Sequence, residues 1–280
     1  MKKKLIAIDL DGTTLNDQSI LTNKTIKTLQ NIESLGHHIA IVTGRPYRTS
    51  KHIYEQLHIS NPLVNFNGAL CHIPENPSWL NAYQVQLDMN IAIDMSKYFS
   101  RLDANLMIFE GKDHYYSTSE NLPISPFFPD KTAPILLEQN TVPHTSPIAI
   151  TLFSGIEKQS QMKEQLQKRY GNTIEVRTWG GSLPCLEVVS TGVQKAMGVE
   201  QVAKSFNIQQ EDIMAFGDEE NDREMIEYAG HGVAMQNAIP YIKSIADDVT
   251  PFTNDQDGLA LYLEDYFQNT LKTLDEKELT

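Results

Sequence analysis

Leu5-Ile6-Ala7-Ile8-Asp9-Leu10-Asp11-Gly12-Thr13-Thr14-Leu15 is an apolar run that stops on two carboxylates spaced two apart, followed at once by a glycine. A short continuous apolar run of this kind reads as a buried parallel strand. Acids at its end then lie at the edge of a sheet, where open α/β proteins place their ligands. Outward from it, residues 4–9 read as a strand, about 22–35 as a helix, 38–42 as a strand, about 47–57 as a helix and 63–66 as a strand. That alternation predicts right-handed βαβ units around a parallel sheet. In the first helix Ile26, Leu29, Ile32 and Leu35 recur at helical spacing as a core-facing stripe, and Gly36 supplies the cap.

The pattern changes from about residue 83 to 190. A helix about 89–102, strands at 105–109, 114–117 and 147–153, a helix about 157–170 and strands at 173–178 and 184–189 make an α+β arrangement. Pro123, Pro126, Pro129, Pro134, Pro143 and Pro147 crowd its middle, which suits surface connections. The βα alternation then resumes: helix about 193–206, strand 212–217, helix 221–228, strand 231–235, helix 238–246 and a helix about 257–267. The expected fold class is therefore α/β, a Rossmann-like parallel-sheet core with an inserted α+β cap domain. Residues 1–82 and 191–280 would form the core, and 83–190 the cap. No internal repeat occurs, and the polar stretch Lys272 to Thr280 reads as frayed.

Composition narrows the function. With 23 Lys plus Arg against 36 Asp plus Glu, the formal net charge is -13, which argues against nucleic acid or anionic lipid as a partner. An anionic substrate would need local positive charge or a metal. Lys2-Lys3-Lys4 imitates the basic segment of a signal peptide, but Asp9 cuts the apolar run short, and no stretch approaches ~20 apolar residues. Two cysteines, Cys71 and Cys185, without a secretory signal read as reduced thiols. A cytoplasmic protein with no membrane span is expected.

Four small signals fall at strand ends or helix starts, on what would be one edge of one sheet. They are Asp9-Leu10-Asp11-Gly12-Thr13, Thr43-Gly44-Arg45-Pro46, Lys195, and Gly217-Asp218-Glu219-Glu220-Asn221-Asp222. Each has an ordinary structural explanation. Asp caps turns, Thr caps helices, a lone lysine is solvated, and acids favour the first turn of a helix. Their convergence points elsewhere. Like charges at ~4 Å repel by about 4 kcal/mol per pair at an effective dielectric of 20. Asp9, Asp11, Asp218 and Asp222 on one edge therefore call for a hard divalent cation, most simply Mg2+. Thr43 and the Gly44 N–H near a helix start suit an anion. Other sites are excluded: position twelve from Asp9 is Ile20, so this is no EF-hand, and neither a P-loop, a zinc spacing nor a Gly-x-Ser-x-Gly elbow occurs.

With these residues laid out, the chain resembles the haloacid dehalogenase-like superfamily of phosphohydrolases, more narrowly its Cof-type branch. Val64-Asn65-Phe66-Asn67-Gly68-Ala69, Gly232-Val233-Ala234-Met235-Gln236-Asn237-Ala238 and Thr253-Asn254-Asp255-Gln256-Asp257-Gly258 add to the match. Gly192-Val193-Gln194-Lys195-Ala196-Met197 departs from it, because the family more often flanks the lysine with a serine and a glycine. The resemblance implies Asp9 as the nucleophile that forms an aspartyl-phosphate and Asp11 as the acid and base. Thr43, Gly44, Lys195 and Asn221 would hold the phosphate. Asp9, the Asp11 carbonyl and Asp218 would hold Mg2+. Asp222 would orient a metal-bound water, with Arg45 and Thr13 in support.

The function so implied is a Mg2+-dependent phosphatase of small phosphomonoesters, sugar phosphates or related metabolites. A phosphotransferase or mutase using the same intermediate, or a non-catalytic phospholigand-binding regulator, are the alternatives. Specificity is expected in the cap, around residues 105–117 and the Trp179-Gly180-Gly181 loop, where Trp179 either stacks on a ligand or fills a core.

Overall fold

The computed structural model describes residues 2–123, 128, 133–137, 143–179 and 183–267. In chain order its first elements are β1 (Leu5–Ile8), α1 (Asn23–Ser34), β2 (His38–Val42), α2 (Tyr47–Leu57), β3 (Leu63–Asn65), β4 (Leu70–His72) and β5 (Tyr83–Gln84). Next come α3 (Met89–Tyr98), β6 (Leu106–Glu110), β7 (Tyr115–Ser117), β8 (Ile135–Leu136), β9 (Ala149–Phe153), α4 (Ile156–Tyr170), β10 (Ile174–Trp179) and β11 (Cys185–Ser190). The remaining elements are α5 (Lys195–Ser205), β12 (Ile213–Gly217), α6 (Arg223–Tyr228), β13 (His231–Ala234), α7 (Pro240–Ile245), β14 (Asp248–Val249) and α8 (Gly258–Tyr266).

These elements fall into two compact units. The first comprises Met1–Gly44, Lys51–Tyr83 and Gln194–Thr280, and the second Arg45–Ser50 and Gln84–Val193. The chain passes between them close to the positions where the sequence pattern changes, at 83/84 and 193/194. The short Arg45–Ser50 piece, which the sequence reading leaves in the core, groups with the second unit instead. Arg48 accounts for this: it pairs with Glu110 through Nη2–Oε1 at 2.7 Å and Nε–Oε2 at 3.2 Å, and its guanidinium lies 4.6 Å from the centre of the Tyr115 ring.

The sheet of the first unit has the order β14-β13-β12-β1-β2-β3-β4-β5. From β14 to β3 all pairings are parallel. β1 lies at the centre, with Ile8 opposite Phe216 on one side and Ile41 on the other. Leu5 and Ala7 pack with Ala40, Val42, Val199, Val202 and Ala215. Ile6 and Ile8 alternate to the opposite face and are equally buried, which is why the run carries no polar residue. The sequence pattern predicts a parallel sheet; the observed one departs from this where β4 runs antiparallel to β3. In α1, the Thr22 hydroxyl accepts from the Thr25 N–H, Leu29 and Ile32 are buried, and Gly36 takes a left-handed φ of 87°.

The second unit is a six-stranded sheet, β10-β11-β9-β6-β7-β8, antiparallel except for β7 with β8. Met107, Phe109, Ile150, Leu152, Leu186 and Val188 pack on one face with Met95, Met162 and Leu166 of α3 and α4. The other face carries a smaller cluster, Leu106, Ile108, Tyr115, Phe153 and Cys185. β8 is a strand the proline-rich stretch does not announce. Pro126, Pro129 and the tail Lys272 to Thr280 lie outside the described residues.

Between β3 and β4 the backbone turns through Phe66, Asn67 and Gly68 with φ of 51°, 55° and 103°. A Cβ on Gly68 would stand 2.1 Å from the carbonyl oxygen of Gln194, the residue that caps the start of α5. Only glycine lets this turn approach the helix so closely. Gly68→Ala is expected to lower the unfolding free energy by at least about 2 kcal/mol, from strain and overpacking together. Urea melts of the two proteins check this; equal midpoints would contradict the packing described.

Candidate active site

The parallel strands β12, β1 and β2 end side by side, and each is followed at once by polar residues. Asp9 follows β1, Thr43 follows β2, and Asp218 follows β12. Lys195 is the first residue of α5. The C-terminal edge of the sheet therefore gathers the sequence signals that a linear reading could only list.

After β1 the chain forms one wide turn, Leu10–Thr14, in which Gly12 has a φ of 73°. The Asp9 N–H donates to the Phe216 carbonyl at 3.1 Å, continuing the ladder one residue beyond the strand. Asp9 is buried, whereas Asp11 is exposed on the turn. The glycine thus gives the two acids different environments, as paired carboxylates with different roles require. Thr13 Oγ1 donates to Asp218 Oδ1 at 2.9 Å, and the Thr14 hydroxyl donates to the Asp9 carbonyl.

Lys195 has 0% exposure. Its Nζ lies 2.7 Å from Asp9 Oδ1 and 2.6 Å from Asp222 Oδ1. Asp222 Oδ2 in turn accepts from the N–H groups of Asp218 and Glu219 at 2.9 and 3.0 Å. The family resemblance implies that Asp222 orients a metal-bound water. The structure shows both of its carboxylate oxygens engaged, one by the lysine and one by the loop after β12. Asp222 holds Lys195 and shapes the loop that carries Asp218.

Asp9, Asp218 and Asp222 each present a carboxylate oxygen within 4.8 Å of the others. Lys195 faces Asp9 and Asp222, which keep it charged and raise its pKa despite burial. One lysine cannot balance three buried acids. Burial, reinforced by Asp222 and Asp11 and opposed by Lys195, pushes Asp9 up to about 7. Burial, reinforced by Asp222 and Asp9, pushes Asp218 up to about 8. A cluster of hard oxygen donors with surplus negative charge is the donor set that suits a divalent cation.

Thr43, Gly44 and Asn221, also expected at the site, belong to the first unit with the acids and Lys195. Thr43 is buried, its N–H on the Val64 carbonyl at 2.9 Å and its carbonyl accepting from Asn67 N–H at 3.0 Å. Gly44 is buried beside it. Asn221 Nδ2 donates to Asn67 Oδ1 at 2.9 Å, so Asn67, which sequence reasoning did not single out for the site, anchors it. The sequence signal available is the turn-forming pair Asn67-Gly68, and the structure gives Asn67 a left-handed φ of 55°. Arg45, which groups with the second unit, reaches forward into α2, with Nη1 3.4 Å from the Thr49 carbonyl.

Within the second unit, Asn105, Leu106, Asn121, Phe153, Ser154 and Leu183 are among the residues lining a cavity of about 420 Å³. Trp179 packs, partly buried, against the Leu106 and Phe153 cluster, as a core aromatic would. Gly180 and Gly181 lie outside the described residues. Both cysteines are buried and free, and burial pushes each thiol up to about 12.

The charge surplus has a measurable consequence. Because Asp9 and Asp218 hold their protons in the folded, metal-free protein above the ordinary carboxylate value of 3.8, the native state binds more protons than the unfolded state between about pH 4 and 8. Stability from these two groups is present at low pH and lost as pH rises through that window. In EDTA, Asp218→Asn should therefore gain in melting temperature relative to the parent on going from pH 5 to pH 8. A difference between the two proteins that stays constant with pH would count against the buried charge surplus.

A family model described as haloacid dehalogenase-like hydrolase matches residues 6–263. The chain is 33% identical over 269 residues to 5-amino-6-(5-phospho-D-ribitylamino)uracil phosphatase YitU of Bacillus subtilis, covering 95% of this chain and 98% of the relative. A second Bacillus subtilis protein with the same activity in its name, YcsE, is 29% identical over 92% of this chain and 93% of its own length. A crystal structure of a haloacid dehalogenase-like hydrolase from Bacteroides thetaiotaomicron superposes with a TM-score of 0.81 at 25% identity, covering 95% of this chain and 100% of that one.

Proposed function

We propose, since this chain belongs to the haloacid dehalogenase-like hydrolase family, that it is a Mg2+-dependent phosphatase of small phosphomonoesters working through an aspartyl-phosphate on Asp9. That it is a phosphoric monoester hydrolase rests on the family and on relatives named as phosphatases across nearly the full length of both chains. The mechanism rests on one observation above all: buried Asp9 lies 2.7 Å from Lys195, a cation that offsets the charge of a phosphate, whereas the lysine's other partner, Asp222, has both oxygens engaged.

The chain's own residues divide the work. An oxygen of Asp9 attacks phosphorus, the bond to the leaving oxygen breaks, and Asp11 gives that oxygen its proton. Asp11, now ionised, takes a proton from water as the water attacks phosphorus. That step breaks the bond to Asp9 and frees inorganic phosphate. Lys195 offsets the repulsion between Asp9 and the incoming phosphate, while Thr43 and the Gly44 N–H hold the phosphoryl oxygens. Asn221 completes this cradle, steadied by Asn67. Asp9, Asp218 and the Asp11 carbonyl would hold Mg2+, which when bound neutralises charge on the transferring phosphoryl group. Asp222 is left out of that set because both of its oxygens are already engaged.

The substrate is a small phosphorylated metabolite. The compound for which both Bacillus relatives are named carries its phosphate on a ribityl chain, an alkyl ester whose leaving alkoxide needs the proton from Asp11. It is the first substrate to test within a wider panel.

Asp9→Asn is expected to abolish Mg2+-dependent release of phosphate, a loss of at least about 10³-fold, with the melting curve of a folded protein retained. EDTA should abolish the activity of the parent and Mg2+ should restore it. In water labelled with oxygen-18, the released phosphate should carry one solvent oxygen, as hydrolysis requires and transfer to a sugar hydroxyl does not. Turnover retained by Asp9→Asn would overturn the assignment of the nucleophile.

A further inference from the structure

The four residues after Asp11 are each tied in place, and two of the ties come from residues with no part in the chemistry above. The Gly12 carbonyl accepts from Asn237 Nδ2 at 2.7 Å, and the Leu15 carbonyl accepts from Asn254 Nδ2 at 3.0 Å. Between them, the Thr13 and Thr14 hydroxyls are bound to Asp218 and to the Asp9 carbonyl. The two asparagines also meet each other, because the Asn254 N–H donates to Asn237 Oδ1 at 3.0 Å. The second Nδ2 hydrogen of Asn254 goes to Asp17 Oδ1 at 3.1 Å. Asn254 is buried, whereas Asn237 is exposed.

We propose that Asn237 and Asn254 form an amide latch that fixes the turn carrying Asp11, and so act as positioning residues for protonation of the leaving group. The need for a latch follows from Gly12. A glycine at φ 73° has the widest torsional freedom of any residue, and it sits directly after an acid on the exposed side of the turn. Holding the Gly12 carbonyl on one side and the Leu15 carbonyl on the other removes that freedom where it would move Asp11 against Asp9. A proton donor must lie within hydrogen-bond reach of the leaving oxygen, and a displacement of ~1 Å can cost about 10²-fold in rate. The latch has a further property: it grips backbone carbonyls, so it constrains the turn without competing for the carboxylates.

The inference rests on Asp11 as the proton donor proposed above, and leaving-group chemistry tests the two separately. Asn237→Ala, Asn254→Ala and Asp11→Asn would be compared with the parent in single-turnover reactions with Mg2+, reading the first product from glycerol phosphate and from p-nitrophenyl phosphate. Nitrophenolate departs without a proton, whereas an alkoxide does not. In both latch variants the first step should slow on the order of ten- to a hundredfold for the alkyl ester and much less for the aryl ester. Asp11→Asn should discriminate in the same sense. Asn237 is exposed, so its truncation opens no cavity and decides the matter should Asn254→Ala fail to fold. If Asp11→Asn discriminates but the latch variants slow both esters equally, or neither, the latch is overturned and Asp11 keeps its role. If Asp11→Asn fails to discriminate, that role falls, and the latch with it.

Discussion

The site is organised around a single buried ammonium. Lys195 is fully enclosed and lies within 2.7 Å of both Asp9 and Asp222. A charge taken out of water costs several kcal/mol unless it is paired at close range and its partners are themselves hydrogen-bonded. Each of those conditions recruits a different part of the first unit. Asp9 comes from the end of β1, and Asp222 comes from the turn after β12, where two backbone N–H groups satisfy its second oxygen. The lysine itself begins α5, and the close approach of Gly68 to Gln194 sets that helix start against the turn after β3. Removing the lysine would leave three buried acids without a cation, and removing Asp222 would release the loop that carries Asp218. The ion pairs are therefore as much a statement about which conformation the loops adopt as about reactivity.

How much of this was legible in sequence depends on the length of the pattern. The run Leu5–Ile8 announces a central strand because both of its faces are buried, and α1 announces itself through Leu29 and Ile32 at helical spacing. Strands of two or three residues, such as β4, β8 and β14, are too short for strand alternation to repeat and stand out from its surroundings. β4 also reverses direction after a turn whose left-handed residues include Phe66, a residue type that gives no turn signal. The grouping of Arg45–Ser50 with the second unit follows from one side chain, Arg48, whose partner Glu110 lies 62 residues away. No local pattern records a contact of that separation.

The site was more legible than the connections that hold it. Asp9, Asp11, Thr43, Lys195 and Asp218 are chemically distinctive residues at the ends of apolar runs or the start of a helix, so residue type and position together single them out as candidates. Partners are another matter. Asp222 looked like a companion of Asp218 and is bound to Lys195; Asn221 looked like part of a phosphate cradle and is tied to Asn67. Asn237 and Asn254 stand in polar loop segments, where an amide is ordinary, and their hold on Gly12 and Leu15 exists only once the ends of the first unit's sheet are assembled.

A Cβ on residue 12 would lie 2.1 Å from Asp218 Oδ2, and the φ of 73° is one that side-chain-bearing residues rarely adopt, so the turn and the approach of the third acid both call for glycine. The spacing acid-x-acid-glycine is thus one physical unit. The acids concentrate charge, and the glycine lets another carboxylate close on them. The same glycine frees the backbone that carries Asp11. A motif that solves the approach of the acids in this way creates a flexible hinge beside its proton donor, and the ties at Gly12, Thr13, Thr14 and Leu15 are what the rest of the chain supplies to stiffen it.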